Sequence, residues 1–166
     1  MYRAKKIQTT DKVLFYRAVN HLLTNLIVDQ PDWLPNLCNA AALLGHQLDQ
    51  INWVGFYILR GEELVLGPFQ GKPACTHIPL GNGVCGTAAQ ERQTLVVDDV
   101  HQFPGHIACD AASASEIVIP IIGPQGTLLG VLDIDSPIKQ RFDQADARGL
   151  EQFASQLATL PGWPVE

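Results

Sequence analysis

Two apolar, β-branched runs joined by a Gly/Pro turn constrain this chain more than any other feature. Glu116-Ile117-Val118-Ile119-Pro120-Ile121-Ile122 leads into Gly123-Pro124-Gln125-Gly126, and Thr127 to Asp135 forms the returning run. A turn this short leaves the two runs no arrangement but antiparallel pairing. Asn52-Trp53-Val54-Gly55-Phe56-Tyr57-Ile58-Leu59 is a third run, rich in aromatic and β-branched residues. It turns at Gly61 and returns through Leu64-Val65-Leu66, a second hairpin. Leu95-Val96-Val97 adds a short strand, while Gly67 to Pro79 and Val100 to Ser115 read as loops. Successive hairpins predict an antiparallel sheet carrying helices, not alternating βαβ units.

The flanks read as helices. After Asp11, the residues Val13, Leu14, Ala18, Leu22, Ile27 and Val28 recur at near-helical spacing until Pro31. A second helix follows Pro35, with Leu37, Ala40, Ala41, Leu44 and Leu48 on one stripe; Cys38 lies in this run and is expected in the core. Gly81 to Glu91 reads as a glycine loop opening a short helix, and a last helix starts near Asp143, its candidate cap, and ends near Leu160. The class is α+β. With 166 residues and 46% hydrophobic content, residues 1–166 are expected to form one domain with a sizeable core.

The net charge of -6 argues against a nucleic-acid partner, which needs a clustered basic surface. Arg3, Lys5 and Lys6 read as a solvated N-terminus. No apolar run of signal-peptide length follows Met1, and none approaches the roughly 20 residues of a membrane span. A cytoplasmic location with no membrane partner is expected. In a reducing cytosol, Cys38, Cys75, Cys85 and Cys109 are then catalytic, metal-binding or buried sooner than structurally cross-linked.

Cys75, Cys85 and Cys109 all sit beside Gly, Pro or Ala in the loop-rich middle, where backbone can approach a ligand. Cys85 is near a helix N-terminus, whose dipole favours thiolate; Cys109 has His101 and His106 nearby, and a cationic imidazole would do the same. Spacing alone leaves both nucleophilic use and inert burial open. A zinc site would draw on His77 and His106, but the cysteines lack the paired C-x-x-C spacing of structural zinc, so no resident metal is expected. Asp133 and Asp135 are two apart on a predicted strand and face one side, with Leu132 and Ile134 on the other; Glu116 begins the pairing strand. Such carboxylates form either a solvated sheet face or a pocket for a cation such as an α-ammonium, in which one carboxyl can stay protonated. Trp53 and Tyr57, four apart, also share a face. No phosphate-loop, dinucleotide or serine-elbow motif is present, and no cofactor is expected.

These segments together resemble the free methionine-(R)-sulfoxide reductases, a GAF-domain family. The likeness is densest in Asn52 to Tyr57, Leu66 to Cys75, Gly83 to Ala88, Phe103 to Asp110 and Val131 to Pro137. It implies a GAF-like fold with a six-stranded antiparallel sheet and a thiol reaction on free methionine sulfoxide, recycled by thioredoxin. Cys109 would be the nucleophile, Cys85 would resolve it as a disulfide, and Cys75 would be auxiliary. Glu116, Asp133 and Asp135 would hold the amino end of the substrate, and Trp53 and Tyr57 would line the sulfoxide end. A homodimer is implied at family level only. His77 and Asn82 depart from the Arg and Lys expected there. The rival readings are a GAF ligand-binding module and a thiol redox sensor without turnover.

Overall fold

The computed structural model describes residues 5–105 and 110–164. Helices α1 (Lys12–Ile27) and α2 (Trp33–Gln47) precede strands β1 (Trp53–Arg60), β2 (Glu63–Gly71) and β3 (His77–Pro79). Helix α3 (Gly83–Glu91), strand β4 (Leu95–Val97) and a single 3-10 turn at Val100–Gln102 come next. Strands β5 (Ser115–Ile122) and β6 (Leu128–Ser136) and helix α4 (Gln144–Leu157) complete the order. The strands form one antiparallel sheet in the order β3-β2-β1-β6-β5-β4.

Strand alternation divides the interior into two cores. Val54, Phe56 and Ile58 of β1, Ile117, Ile119 and Ile121 of β5, and Leu132 and Ile134 of β6 face α1, α2 and α4. Trp53, Tyr57, Val118 and Val131 face the other way, with Val84, Cys85 and Ala88 of α3. Register then aligns the polar members of this second face: Glu116 pairs with Asp135, Val118 with Asp133, Trp53 with Asp135 and Gly55 with Asp133. The three acids of β5 and β6 therefore emerge under α3, away from the helical core.

The first core is fastened at its helix ends. Asp143 accepts from the amides of Ala145 and Asp146, while the Asp146 carboxylate accepts from the Asp143 amide, a reciprocal capping box for α4. Asp146 is itself buried. It accepts from the Tyr16 hydroxyl at 2.7 Å and pairs with Lys12 and Arg141, which ties α4 to α1 and offsets the desolvation of its charge. Gly149 sits where any Cβ would strike the Tyr16 ring, so α1 and α4 approach as closely as side chains permit.

Several expectations need correction. β2 runs on through Gly67-Pro68 to Gly71, and β3 lies inside the segment read as loop. The pairing of β1 with β2 shifts register between Gly55 and Tyr57, so a bulge absorbs the Gly-Pro step and the strand resumes beyond it. Helix α2 begins at Trp33, capped by Asp32, with Pro35 in its first turn. Cys38 is exposed: it lies about 100° around the helix from the buried Leu37, off the Leu37–Ala41–Leu44 stripe. Helix α1 buries Tyr16, Val19, Asn20 and Leu23, leaving Val13, Leu14 and Val28 exposed. Its apolar residues nearly encircle the helix, and the Tyr16 and Asn20 hydrogen bonds to α4 decide which face turns inward.

Candidate active site

The second core encloses a pocket. Its wall includes Trp53 and Tyr57 of β1, Glu116 of β5, Asp133 and Asp135 of β6, and Gly83 to Cys85 at the start of α3. Seven of the eight residues singled out from sequence are placed in the structure; Cys109, the expected nucleophile, lies outside the described residues. Cys75 stands next to Pro73 and Ala74, which also line the pocket.

The aromatic wall is built by close sheet packing. Trp53 stacks on Phe69 at 5.4 Å and on Tyr57 at 5.9 Å between ring centroids. Gly55 makes room for this, since a Cβ there would run into both the Trp53 ring and Phe69. The polar tips of the two rings hold the neighbouring loop. The Trp53 indole donates to the Lys72 carbonyl at 3.1 Å, and the Tyr57 hydroxyl donates to the Cys75 carbonyl at 3.0 Å. Burial and the nearby acid charges push the Tyr57 phenol up, so it remains a hydrogen-bond donor at neutral pH.

Beside the aromatics, on the same face of the sheet, lies the acid cluster. Glu116 and Asp133 are each 6% exposed, and Asp135 is partly buried. Burial is the first cause of the raised proton affinity of all three. Neighbouring charge adds to this: Asp133 and Asp135 push Glu116 further up, and Asp133 does the same to Asp135. Asp133 rises to about 6, held back by hydrogen bonds from Cys85, Glu116 and the Ile134 amide. Asp133 Oδ1 is buried without a hydrogen-bond partner, an acceptor left open inside the pocket. A solvated sheet face does not describe these residues; their burial around an open acceptor gives them the capacity to take up a cationic group.

The cysteines divide into two kinds. Cys75 is disulfide-bonded, whereas Cys85 is a free, buried thiol with Sγ 3.8 Å from Glu116 Oε1. At Cys85 the thiolate preference of the helix dipole meets stronger opposition. Burial, and then the negative charge of Asp133 and Glu116, raise its pKa well above the ordinary value and outweigh the dipole of a helix of nine residues.

The sequence reading missed a polar group at the pocket mouth. The Asn52 amide donates to the Asp110 carboxylate at 3.2 Å and to the Ser113 hydroxyl at 3.1 Å, and Ser113 hydrogen-bonds Asp135. Asp110 also pairs with Lys72 at 3.6 Å. Nothing in the alternation of β1 flags Asn52, which precedes the strand, but its position before the aromatic run was a usable signal. Among the described residues, no helix is long and apolar enough to cross a membrane.

The GAF domain family matches residues 12–160. The free methionine-R-sulfoxide reductase of Escherichia coli is 50% identical over 147 residues, covering 89% of this chain and 88% of the relative. Protein YtsP of Bacillus subtilis is 51% identical over 159 residues, covering 95% and 96%. The X-ray structure of the free methionine-R-sulfoxide reductase of Neisseria meningitidis, in complex with its substrate, superposes with a TM-score of 0.88 at 43% identity, covering 95% of this chain and 94% of that one. A likeness of this identity over nearly the whole chain is that of kin: the chain belongs to the GAF-domain family of free methionine-R-sulfoxide reductases.

Proposed function

We propose that this chain reduces free methionine (R)-sulfoxide to methionine. The observation that carries the reading is the cluster of buried Glu116 and Asp133 and partly buried Asp135 around an unpaired carboxylate oxygen, in a pocket flanked by cysteines. An α-ammonium supplies the missing cation, and Trp53 and Tyr57 offer an apolar wall for the thioether end. The names and the substrate complex of the relatives agree with this substrate.

The Cys109 thiolate attacks the sulfoxide sulfur. The sulfoxide oxygen takes a proton from Glu116, whose raised proton affinity keeps it in the acid form, while Asp133 and Asp135 pair with the ammonium. Methionine leaves, and Cys109 is left as a sulfenic acid that has gained the oxygen. A second thiol attacks the sulfenic sulfur, closing a disulfide and releasing water. The disulfide state of Cys75 supports giving this resolving role to Cys75, in place of Cys85 as the family resemblance suggested. The high proton affinity of Cys85 also makes it a poor attacking thiol. Two electrons from thioredoxin, by exchange through a mixed disulfide, return the enzyme to the dithiol form.

The test is NADPH consumption coupled through thioredoxin reductase and thioredoxin, on separated R and S isomers of free methionine sulfoxide. Turnover on the R isomer alone, abolished in Cys109→Ser, is expected. Cys75→Ser should release one equivalent of methionine and then stall, while Cys85→Ser continues to turn over. The opposite behaviour of the last two variants returns the resolving role to Cys85. No turnover on either isomer, with thioredoxin verified, favours ligand binding or redox sensing.

A further inference from the structure

Cys85 of α3, Glu116 of β5 and Asp133 of β6 each offer one ligand atom, and the three atoms lie within 4.8 Å of one another. They come from three packed elements, all three side chains are buried, and Asp133 Oδ1 has no hydrogen-bond partner. The group thus joins a thiol and two carboxyls around an unfilled acceptor, with no compensating cation among the described residues. A tetrahedral zinc ion, with sulfur at about 2.3 Å and carboxylate oxygens at about 2.0–2.2 Å, holds its ligand atoms roughly 3.5 Å apart. Cys85 Sγ and Glu116 Oε1 stand at 3.8 Å, close to that spacing before any adjustment.

We infer that Cys85, Glu116 and Asp133 form a binding site for a borderline-soft divalent cation, zinc or its analogue cadmium, inside the pocket. The mixed sulfur and oxygen donors select against magnesium and calcium, which take oxygen ligands in larger number. Three protein ligands leave a fourth position open to water on the pocket side, the coordination of an accessible site as opposed to a closed structural one. Binding displaces the Cys85 proton and any proton on the two carboxyls, so metal uptake releases acid to the medium. The cation occupies the carboxylates that an ammonium would use, and zinc therefore blocks the pocket.

The experiment is a cadmium titration of the Cys38→Ser protein in its disulfide form, without added reductant. That background removes the exposed thiol and leaves Cys85 as the free thiol among the described residues. A thiolate-to-cadmium ultraviolet band saturating at one equivalent is expected, absent after Cys85→Ser. Asp133→Asn and Glu116→Gln, which keep side-chain shape, should each weaken the midpoint at least tenfold. No band, or a band whose midpoint neither carboxyl variant moves, overturns the site. Thermal unfolding gives a second readout: one equivalent of zinc should raise Tm in the Cys38→Ser protein and not after further Cys85→Ser, and no rise in the former also counts against the site. The assignment stands apart from the reductase reading. Metal binding in a protein that lacks sulfoxide turnover sinks that reading alone, and turnover without metal binding sinks this one alone.

Discussion

Asp133→Asn should make the ligand-free protein more stable and a worse receptor at once, with a stability gain that depends on pH in a defined direction. In the folded protein Asp133 keeps its proton up to about pH 6, against an ordinary value of 3.8, mainly because the charged form is desolvated. Between those two values the folded state binds more protons than the unfolded chain, so stability falls as pH rises. Above about pH 6 the whole cost is present, and the rise from 3.8 to about 6 corresponds to roughly 3 kcal/mol. Asparagine keeps the shape and carries no charge. Urea unfolding followed by tryptophan fluorescence should therefore show little difference between wild type and variant near pH 4. By about pH 7.5 the variant should lead by up to ~3 kcal/mol. Saturating free methionine should reverse the order, since its ammonium compensates the carboxylate in the wild type only. A difference that is flat with pH, or a variant less stable above about pH 6, would refute the claim that Asp133 is held in the pocket at an electrostatic cost.

Other consequences are equally direct. A peptide-bound methionine sulfoxide lacks the α-ammonium and leaves the buried carboxylates unpaired, so its kcat/KM should fall at least ~100-fold below that of the free amino acid; comparable rates would remove the acid cluster from specificity. Asp143→Ala breaks the capping box of α4 and should cost about 1–2 kcal/mol in chemical unfolding, with little effect on KM because the box lies on the far side of the sheet. Gly149→Ala drives a methyl group into the Tyr16 ring and should lose about 2–3 kcal/mol, measured the same way.

What could be read from the sequence followed from strict periodicity. Strand alternation assigned Asp133 and Asp135 to one face and Leu132 and Ile134 to the other, and the structure keeps that division. The Gly123–Gly126 turn fixed the pairing that sets Glu116 opposite Asp135. Where the local pattern was ambiguous, tertiary contacts decided. Apolar residues around most of α1 left its inward face open until Tyr16 reached Asp146. Gly67-Pro68 looked like a break until a bulge carried β2 across it. The protonation of Cys85 was illegible for another reason: a helix N-terminus is a local feature, whereas the opposing charges arrive from β5 and β6, 31 and 48 residues along the chain.

The same alternation explains why a costly acid cluster persists in the middle of a sheet. A slip of β6 by one residue would turn Asp133 and Asp135 into the core beneath α1, α2 and α4, and bring Leu132 and Ile134 out under α3. Both outcomes are penalised: unpaired carboxyls would be buried among Phe56, Ile117 and Phe153, and the helical core would lose two of its fully buried side chains. The apolar face thus holds the register that gathers the acids under α3. The strain of the pocket is local to Glu116, Asp133, Asp135 and Cys85, while its geometry is maintained by residues that never touch a ligand. Stabilising substitutions in the pocket and preserved function are therefore opposed at these positions, and substitutions behind the sheet should move stability without moving specificity.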